Sequence, residues 1–258
     1  MRILYSILAF FICFLNCMAD EYIDFRDYYR DVRGVVLSFP EQQTTPLPDK
    51  NKHIVFVKDR DDHTTGNCFM GGAVVRFSND FLLFVADQSD EDRVDPRYED
   101  KRMLLPENHR PYGEGLLHTN MNLPPFYDYH NILENTEDKK ERKAIIKRQR
   151  MNSKLRRKYV RVMHDNELTQ RVGCDFIDIV RLPNLKQVVC SRCDDLHTSL
   201  HSIPKNINRC YIVNFCRLDR YRPMAFMVFC NSKGGKTIDD YVEQISQYVR
   251  FDPDFKFE

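Results

Sequence analysis

Polar turns divide this sequence into short runs of apolar and β-branched residues. Ala73 to Phe77 and Phe81 to Ala86 are two such runs, and Ser78-Asn79-Asp80 between them is a favourable turn. Comparable runs occur on both sides of a long polar middle segment, and they are Val35 to Phe39, His53 to Val57, Tyr159 to Met163, Phe176 to Leu182, Lys186 to Cys190, Cys210 to Phe215 and Met224 to Cys230. Asp239 to Phe251 instead carries its apolar residues at helical spacing. The pattern predicts a mostly β chain that ends in an amphipathic helix.

The middle of the chain interrupts the strands. Asp90 to Tyr129 is rich in proline, asparagine and charge, and Asn131 to Lys158 has acidic residues near its start and basic residues toward its end. That order suits the helix dipole and predicts a helix. We therefore expect an insertion at about 90–158 within a main domain at 53–251. An N-terminal lead-in at 20–52, poorly packed over Glu21 to Arg33, and a tail at 252–258 complete the expected organisation.

The N-terminus has the three parts of a secretory signal peptide. Arg2 is basic, Ile3 to Leu15 is apolar, and Ala19 is a small residue at the end. The apolar run is short for a transmembrane helix. We expect residues 1–19 to be removed and the protein to be secreted and extracellular, without stable membrane insertion.

Seven cysteines remain after the signal peptide, and they are Cys68, Cys174, Cys190, Cys193, Cys210, Cys216 and Cys230. Secretion favours disulfides over the zinc or redox chemistry that a Cys-x-x-Cys pair also suggests. An odd number leaves at least one thiol free or bonded to another chain.

Charge is balanced overall and uneven locally. The formal net charge is +1, so no global field attracts nucleic acid. Ser89 to Asp100 is acidic, and Lys139 to Lys158 is strongly basic. The basic segment is either a solvated helix face or a site for an anionic surface. Its candidate interaction residues are Lys147, Arg148, Arg150, Arg156 and Arg157.

Several segments resemble the chymotrypsin-like serine protease family in chain order. Cys68 to Gln88 (CFMGGAVVRFSNDFLLFVADQ) is similar to the family's C-G-G-S-L-I-S-x-x-F-V-L-T-A-A-H-C pattern. Further similarities lie at His53 to Val57, Val162 to Asp165, Asp175 to Pro183, Cys210 to Phe215 and Val242 to Phe251. The resemblance implies an antiparallel chymotrypsin-like β-barrel, with a second barrel that is truncated or rebuilt, a long helical insertion and a C-terminal helix.

The resemblance also implies that the catalytic triad is lost. Asp87 occupies the His position, and Phe176 or, with a shift of one residue, Asp175 occupies the Asp position. The nucleophile loop matches only Asn231 to Lys236 at short spacing, or is deleted. Aspartate is a far weaker base than imidazole, and loss of one triad member costs orders of magnitude in rate. We expect no catalysis.

The family pattern bears on the cysteines as well. It pairs Cys210 tentatively with Cys230, and it leaves Cys68 unpaired because Gln88 replaces the usual partner. His197 and His201 have i, i+4 spacing but no obvious third metal ligand. We therefore expect no metal and no cofactor.

These observations predict a secreted, non-catalytic serine-protease homologue that binds an extracellular protein partner, as a regulator or decoy in a protease pathway. Two alternatives stay open. One is a disulfide-stapled signalling precursor that is cleaved after Arg157, within the dibasic segment Lys154-Leu-Arg-Arg157. The other is a residually active serine-type endopeptidase, or a hydrolase that uses Cys68 or a histidine.

Overall fold

A computed structural model describes residues 26–31, 33–46, 54–56, 68–87, 117–118, 120–121, 136–164, 166–185, 206–217 and 223–255. Its strands are β1 (Val35–Leu37), β2 (Thr44–Pro46), β3 (Ile54–Phe56), β4 (Cys68–Ser78), β5 (Phe81–Asp87), β6 (Val160–His164), β7 (Phe176–Leu182), β8 (Arg209–Cys216), β9 (Met224–Cys230) and β10 (Val249–Phe251). Its α-helices with assigned bounds are α1 (Lys139–Tyr159), α2 (Glu167–Val172) and α3 (Ile238–Ser246). The predicted signal peptide, the strand at Lys186 to Cys190, and the residues Cys190, Cys193, His197 and His201 lie outside the described residues.

Eight of the strands form one antiparallel sheet. Its order is β2-β4-β5-β9-β8-β7-β6, and β3 pairs with the other end of β4. The pairing of β5 with β9 joins strands from the two sides of the insertion in one sheet. β1 and β10 form a separate two-stranded ribbon.

The sheet is open. Among the described residues, β6 pairs only with β7, and β2 pairs only with β4. A barrel requires its first and last strands to pair with each other. The described strands confirm the mostly β class. The open sheet shows that the expected barrel is not closed.

Both faces of the sheet are covered by other parts of the chain. Every residue of β9 is buried, and β8 is buried from Cys210 to Cys216. Alternate side chains divide between two cores. Face A, the side with Val75, Val213 and Phe226, packs against α2, α3 and the β1–β10 ribbon. Face B, the side with Ile212 and Met227, packs against Leu117, Met121 and Ile207.

The N-terminal lead-in is part of the core on face A. Tyr29, in a helical turn at 26–31, is 2% exposed, and Val35, Leu37 and Phe39 are buried beside it. Poor packing was expected over 21–33, and the burial of Tyr29 contradicts this expectation at that residue. The difference arises because burial of an aromatic or aliphatic side chain is favourable, even where the charged residues next to it in the sequence stay accessible to solvent.

The C-terminal helix is shorter than its apolar spacing predicts. α3 ends at Ser246, and Val249–Phe251 pairs with Val35–Leu37 as a strand. The strand places Val249 and Phe251 in the same core that the helical spacing would have reached. Local periodicity alone does not separate these two ways of burying the same residues.

α2 was not expected from the sequence. Asn166 and Thr169 form a reciprocal capping box at its start, and Gly173 ends it at a φ of 76°. The capping box is a recognisable start signal for a helix, and the glycine is a recognisable stop signal. The apolar content of its six residues is too low to give a periodic signal.

Cleavage after Arg157 tests whether the two sides of the insertion share one sheet. We expect the two fragments to coelute in gel filtration under reducing conditions and to separate in denaturant, because β5 and β9 stay paired. Arg157 is exposed in the last turn of α1. Elution of an independent folded fragment that starts at Lys158 would contradict the shared sheet.

The N-terminus of α3 predicts a dependence of stability on acid pH. A backbone hydrogen bond from Thr237, followed by its side-chain hydrogen bond, lowers the pKa of Asp240 below its ordinary value. The stabilisation is complete above the ordinary aspartate pKa and is lost as the pH falls through the lowered pKa. We expect Asp240→Asn to reduce the acid dependence of the unfolding midpoint, and an unchanged acid dependence in this variant would contradict the contribution of Asp240.

Candidate functional site

α1 is a long, capped helix that runs directly into the sheet. The carboxylate of Asp138 accepts a hydrogen bond of 2.7 Å from the backbone N–H of Glu141, which caps the start. The last turn contains Arg156, Arg157 and Lys158, as the helix dipole favours. At Val160 the chain enters β6 without a loop, and the helix contacts β6 and β7.

A narrow side of α1 faces the rest of the protein. Ile145 and Asn152 are the buried residues of this helix, and Gln149, Arg156 and Tyr159 are half-buried. Their spacing of three to four residues places them on one side. This contact fixes which side of the helix points to solvent.

The outward side is an unbroken line of basic residues, which we name the cationic stripe: Lys140, Lys143, Lys147, Arg150, Lys154 and Arg157. All six are exposed, and they follow one another at intervals of three or four residues. Seventeen residue steps along an α-helix correspond to about 26 Å. Lys158, also exposed, widens the C-terminal end of the stripe.

The charges of the stripe are not compensated on the helix. α1 contains eleven Lys and Arg residues against one acidic residue, Glu141. Within the described part of the chain, no ion pair involves a residue of the stripe. Like charges at i, i+4, such as Lys143 and Lys147, destabilise a helix by about 0.2–0.5 kcal/mol per pair. The stripe is therefore a local electrostatic cost to folding.

The structure divides the five predicted interaction residues. Lys147, Arg150 and Arg157 belong to the stripe. Arg148 is exposed but lies outside the stripe, beside the inward side, because it stands three residues from Ile145 and four from Asn152. Arg156 is half-buried on the inward side. The prediction omitted Lys140, Lys143 and Lys154, although the same spacing of three or four residues would have identified them.

The protease-like positions do not meet. Asp87 ends β5 and Phe176 begins β7, with β9 and β8 between them. Three strand spacings separate them by about 14 Å. Phe176 is buried, and Asp175, which precedes it, is exposed and donates its backbone N–H to the carbonyl of Cys216 at 2.9 Å.

The serine of the glycine-rich loop lies at the other end of the sheet. Ser232 follows β9, whose last residue, Cys230, pairs with Phe81 at the start of β5. Six residues of strand therefore separate this end from Asp87, about 20 Å. Gly234 and Gly235 have φ values of 73° and 75°, so the loop is a tight connection to α3.

A polar cluster is buried on the face B side of the sheet. Asp178 and Asn214 are fully buried neighbours on β7 and β8, and the Asn214 amide donates a hydrogen bond of 2.6 Å to the Asp178 carboxylate. The thiol of Cys216 lies 3.9 Å from the other carboxylate oxygen. Burial, then the charge of Asp178, raises the pKa of Cys216 well above its ordinary value. This thiol is therefore a poor nucleophile.

The pKa values of the other described thiols are also raised. Burial, and then the charge of Asp175, raises the pKa of Cys174 to about 12. Burial raises the pKa of Cys230 to about 11, and burial together with Cys230 raises the pKa of Cys210.

The tentative Cys210–Cys230 disulfide is wrong. Both residues are free thiols. Cys210 lies opposite Phe229 in the β8–β9 ladder, and Cys230 lies opposite Arg209, so their side chains point to opposite faces. Cysteines whose Cβ vectors point apart cannot be bridged without backbone movement. That Cys68 is unpaired stays a prediction, because its side chain lies outside the described residues.

The described residues offer neither a metal site nor a membrane-spanning helix. They contain no group of three or more His, Cys, Asp or Glu side chains that could hold a metal ion. No helix among them has the length and apolar character needed to cross a membrane.

Comparisons of the chain with protein-family models, with curated proteins and with solved structures give no match.

The raised thiol pKa values predict slow alkylation in the native state. With a pKa of about 11, roughly one thiol in a thousand is ionised at pH 8, against about a quarter at the ordinary cysteine pKa. We expect Cys174, Cys210, Cys216 and Cys230 to react with iodoacetamide only after unfolding, as measured by peptide mapping. Rapid native labelling of Cys216 would contradict its assignment as an inert core residue.

Proposed function

We propose that this protein is a secreted, non-catalytic binding protein whose contact surface is the cationic stripe of α1 and whose partner is anionic. The observation that carries the proposal is the unbroken line of six exposed basic residues on one side of a docked helix. Secretion is proposed from the predicted signal peptide at 1–19.

The composition of the stripe favours a binding surface over a merely solvated helix face. A solvated face gains stability when acidic residues stand three or four positions from basic ones. α1 forgoes this stabilisation, although the chain has 38 acidic residues for its 39 basic ones. An anionic partner would supply the missing charge and relieve the repulsion.

The positions of the protease-like residues support a role without catalysis. Asp87, Asp175 and Ser232 lie too far apart to share a proton or to position a substrate. Descent from the serine proteases stays a prediction, and the open sheet adds no support to it. We retain, as part of the proposal, that the protein uses this binding to act as a regulator or decoy for an extracellular protein.

The two alternatives are less compatible with the geometry. A signalling ligand released after Arg157 would lose β5, the central neighbour of β9. A hydrolase that used a described cysteine would need an ionised thiol, and the pKa values of these thiols are raised.

Charge reversal within the stripe tests the proposal. Lys147→Glu with Lys154→Glu interrupts the stripe and creates opposite-charge pairs with Lys143, Arg150 and Lys158 at i, i+3 or i, i+4. Each new pair contributes about 0.2–0.5 kcal/mol to helix stability, so a melting temperature at or above that of the wild type shows that loss of binding does not result from unfolding. We expect binding to an anionic matrix to fall while the melting temperature stays equal or rises.

The matched control is Arg181→Glu with Arg250→Glu, which makes the same change in net charge at exposed positions on β7 and β10. It should leave binding close to that of the wild type. Equal loss in both double variants would show that overall charge, and not the stripe, determines binding.

A further inference from the structure

We infer that the anionic partner is a linear sulfated polysaccharide, bound along the cationic stripe. The inference rests on the proposed function and narrows the chemistry of its partner. It depends on three features of α1: the linear arrangement of the stripe, the residues beside it, and the docking of the opposite side of the helix.

The stripe is a line and not a broad patch. Successive basic residues stand three or four positions apart, so their Cβ atoms are about 5–6 Å apart along one helix edge. Ser153, which is also exposed, lies on one flank of the stripe. A linear polymer with sulfate or carboxylate groups on successive sugars presents its anions in the same one-dimensional order. Both lysine and arginine bind such groups through charge-assisted hydrogen bonds.

A lipid bilayer fits this helix less well. Helices that lie in a membrane interface insert an apolar face opposite their basic face. In α1 the opposite side, with Ile145 and Asn152, is buried against the protein. The large apolar side chains that reach solvent are Ile146 and Met151, only 38% and 37% exposed, and helical spacing puts them on opposite flanks of the stripe.

Nucleic acid also fits less well. Proteins that hold single strands combine basic grooves with aromatic side chains that stack on bases. The outward side of α1 has no aromatic residue, because Tyr159 is half-buried on the inward side. The Lys and Arg residues of the stripe can contact the phosphates of a duplex, so duplex DNA is one of the probes in the test below.

The test compares defined anions on the full secreted chain. The probes are heparin oligosaccharides of increasing length, chemically desulfated heparin, phosphatidylserine vesicles and duplex DNA, each measured by equilibrium binding at 0.15 M salt. We expect wild-type protein to bind heparin, with affinity that rises with length until the oligosaccharide spans the stripe. Desulfated heparin should bind much more weakly.

Two charge-reversing double variants test whether the stripe is the surface that contacts heparin. Lys147→Glu with Lys154→Glu should weaken heparin binding by roughly ten- to a hundredfold, because two attractions become repulsions. Arg181→Glu with Arg250→Glu should change it by less than about threefold, because its charges lie outside the stripe.

The outcomes separate this inference from the proposed function. Binding of vesicles or DNA through the stripe, without preference for sulfated sugar, would overturn the inference and leave the proposed function standing. Absence of stripe-dependent binding to every anion would overturn both. Heparin binding that neither double variant weakens would also overturn the inference.

Discussion

The pairing of β5 with β9 holds the structure together. Phe81 to Ala86 lies alongside Ala225 to Cys230, so strands from before and after the insertion become central neighbours. Both strands are buried on both faces where their side chains are described. The two cores, one on each face, therefore contain residues from both sides of the insertion.

The position of α1 follows from that pairing. The helix continues directly into β6, which is held to β9 through β7 and β8. One side of the helix is anchored through Ile145 and Tyr159, which leaves the basic side outward. A rigid scaffold that presents a charged helix is a common way to build a binding surface, because the charges are ordered before the partner arrives.

Local pattern in the sequence predicted the elements well. The runs at Phe81 to Ala86, Phe176 to Leu182 and Met224 to Cys230 are strands, and the basic segment is a helix. Each of these depends on neighbouring residues alone. The boundary of α3 and the strand Val249–Phe251 depend on pairing with β1 and were not predicted.

The arrangement of the elements could not be predicted in the same way. The strand that pairs with β5 is β9, whose residues lie far away in the chain, so local pattern does not identify it. The order of the protease-like segments suggested a barrel instead. The disulfide prediction failed for a related reason: Cys210 and Cys230 are on adjacent strands, but the register puts them on opposite faces. The outward direction of the stripe depends on the burial of Asn152, a polar residue that spacing alone would not place inside.

Hydrogen exchange of backbone amides tests the shared sheet most directly. We expect the amides of Leu82 to Val85 in β5 and of Ala225 to Phe229 in β9 to exchange with the same opening free energy, through unfolding of the whole sheet. Exchange of the β5 amides that is orders of magnitude faster than exchange of the β9 amides would contradict it.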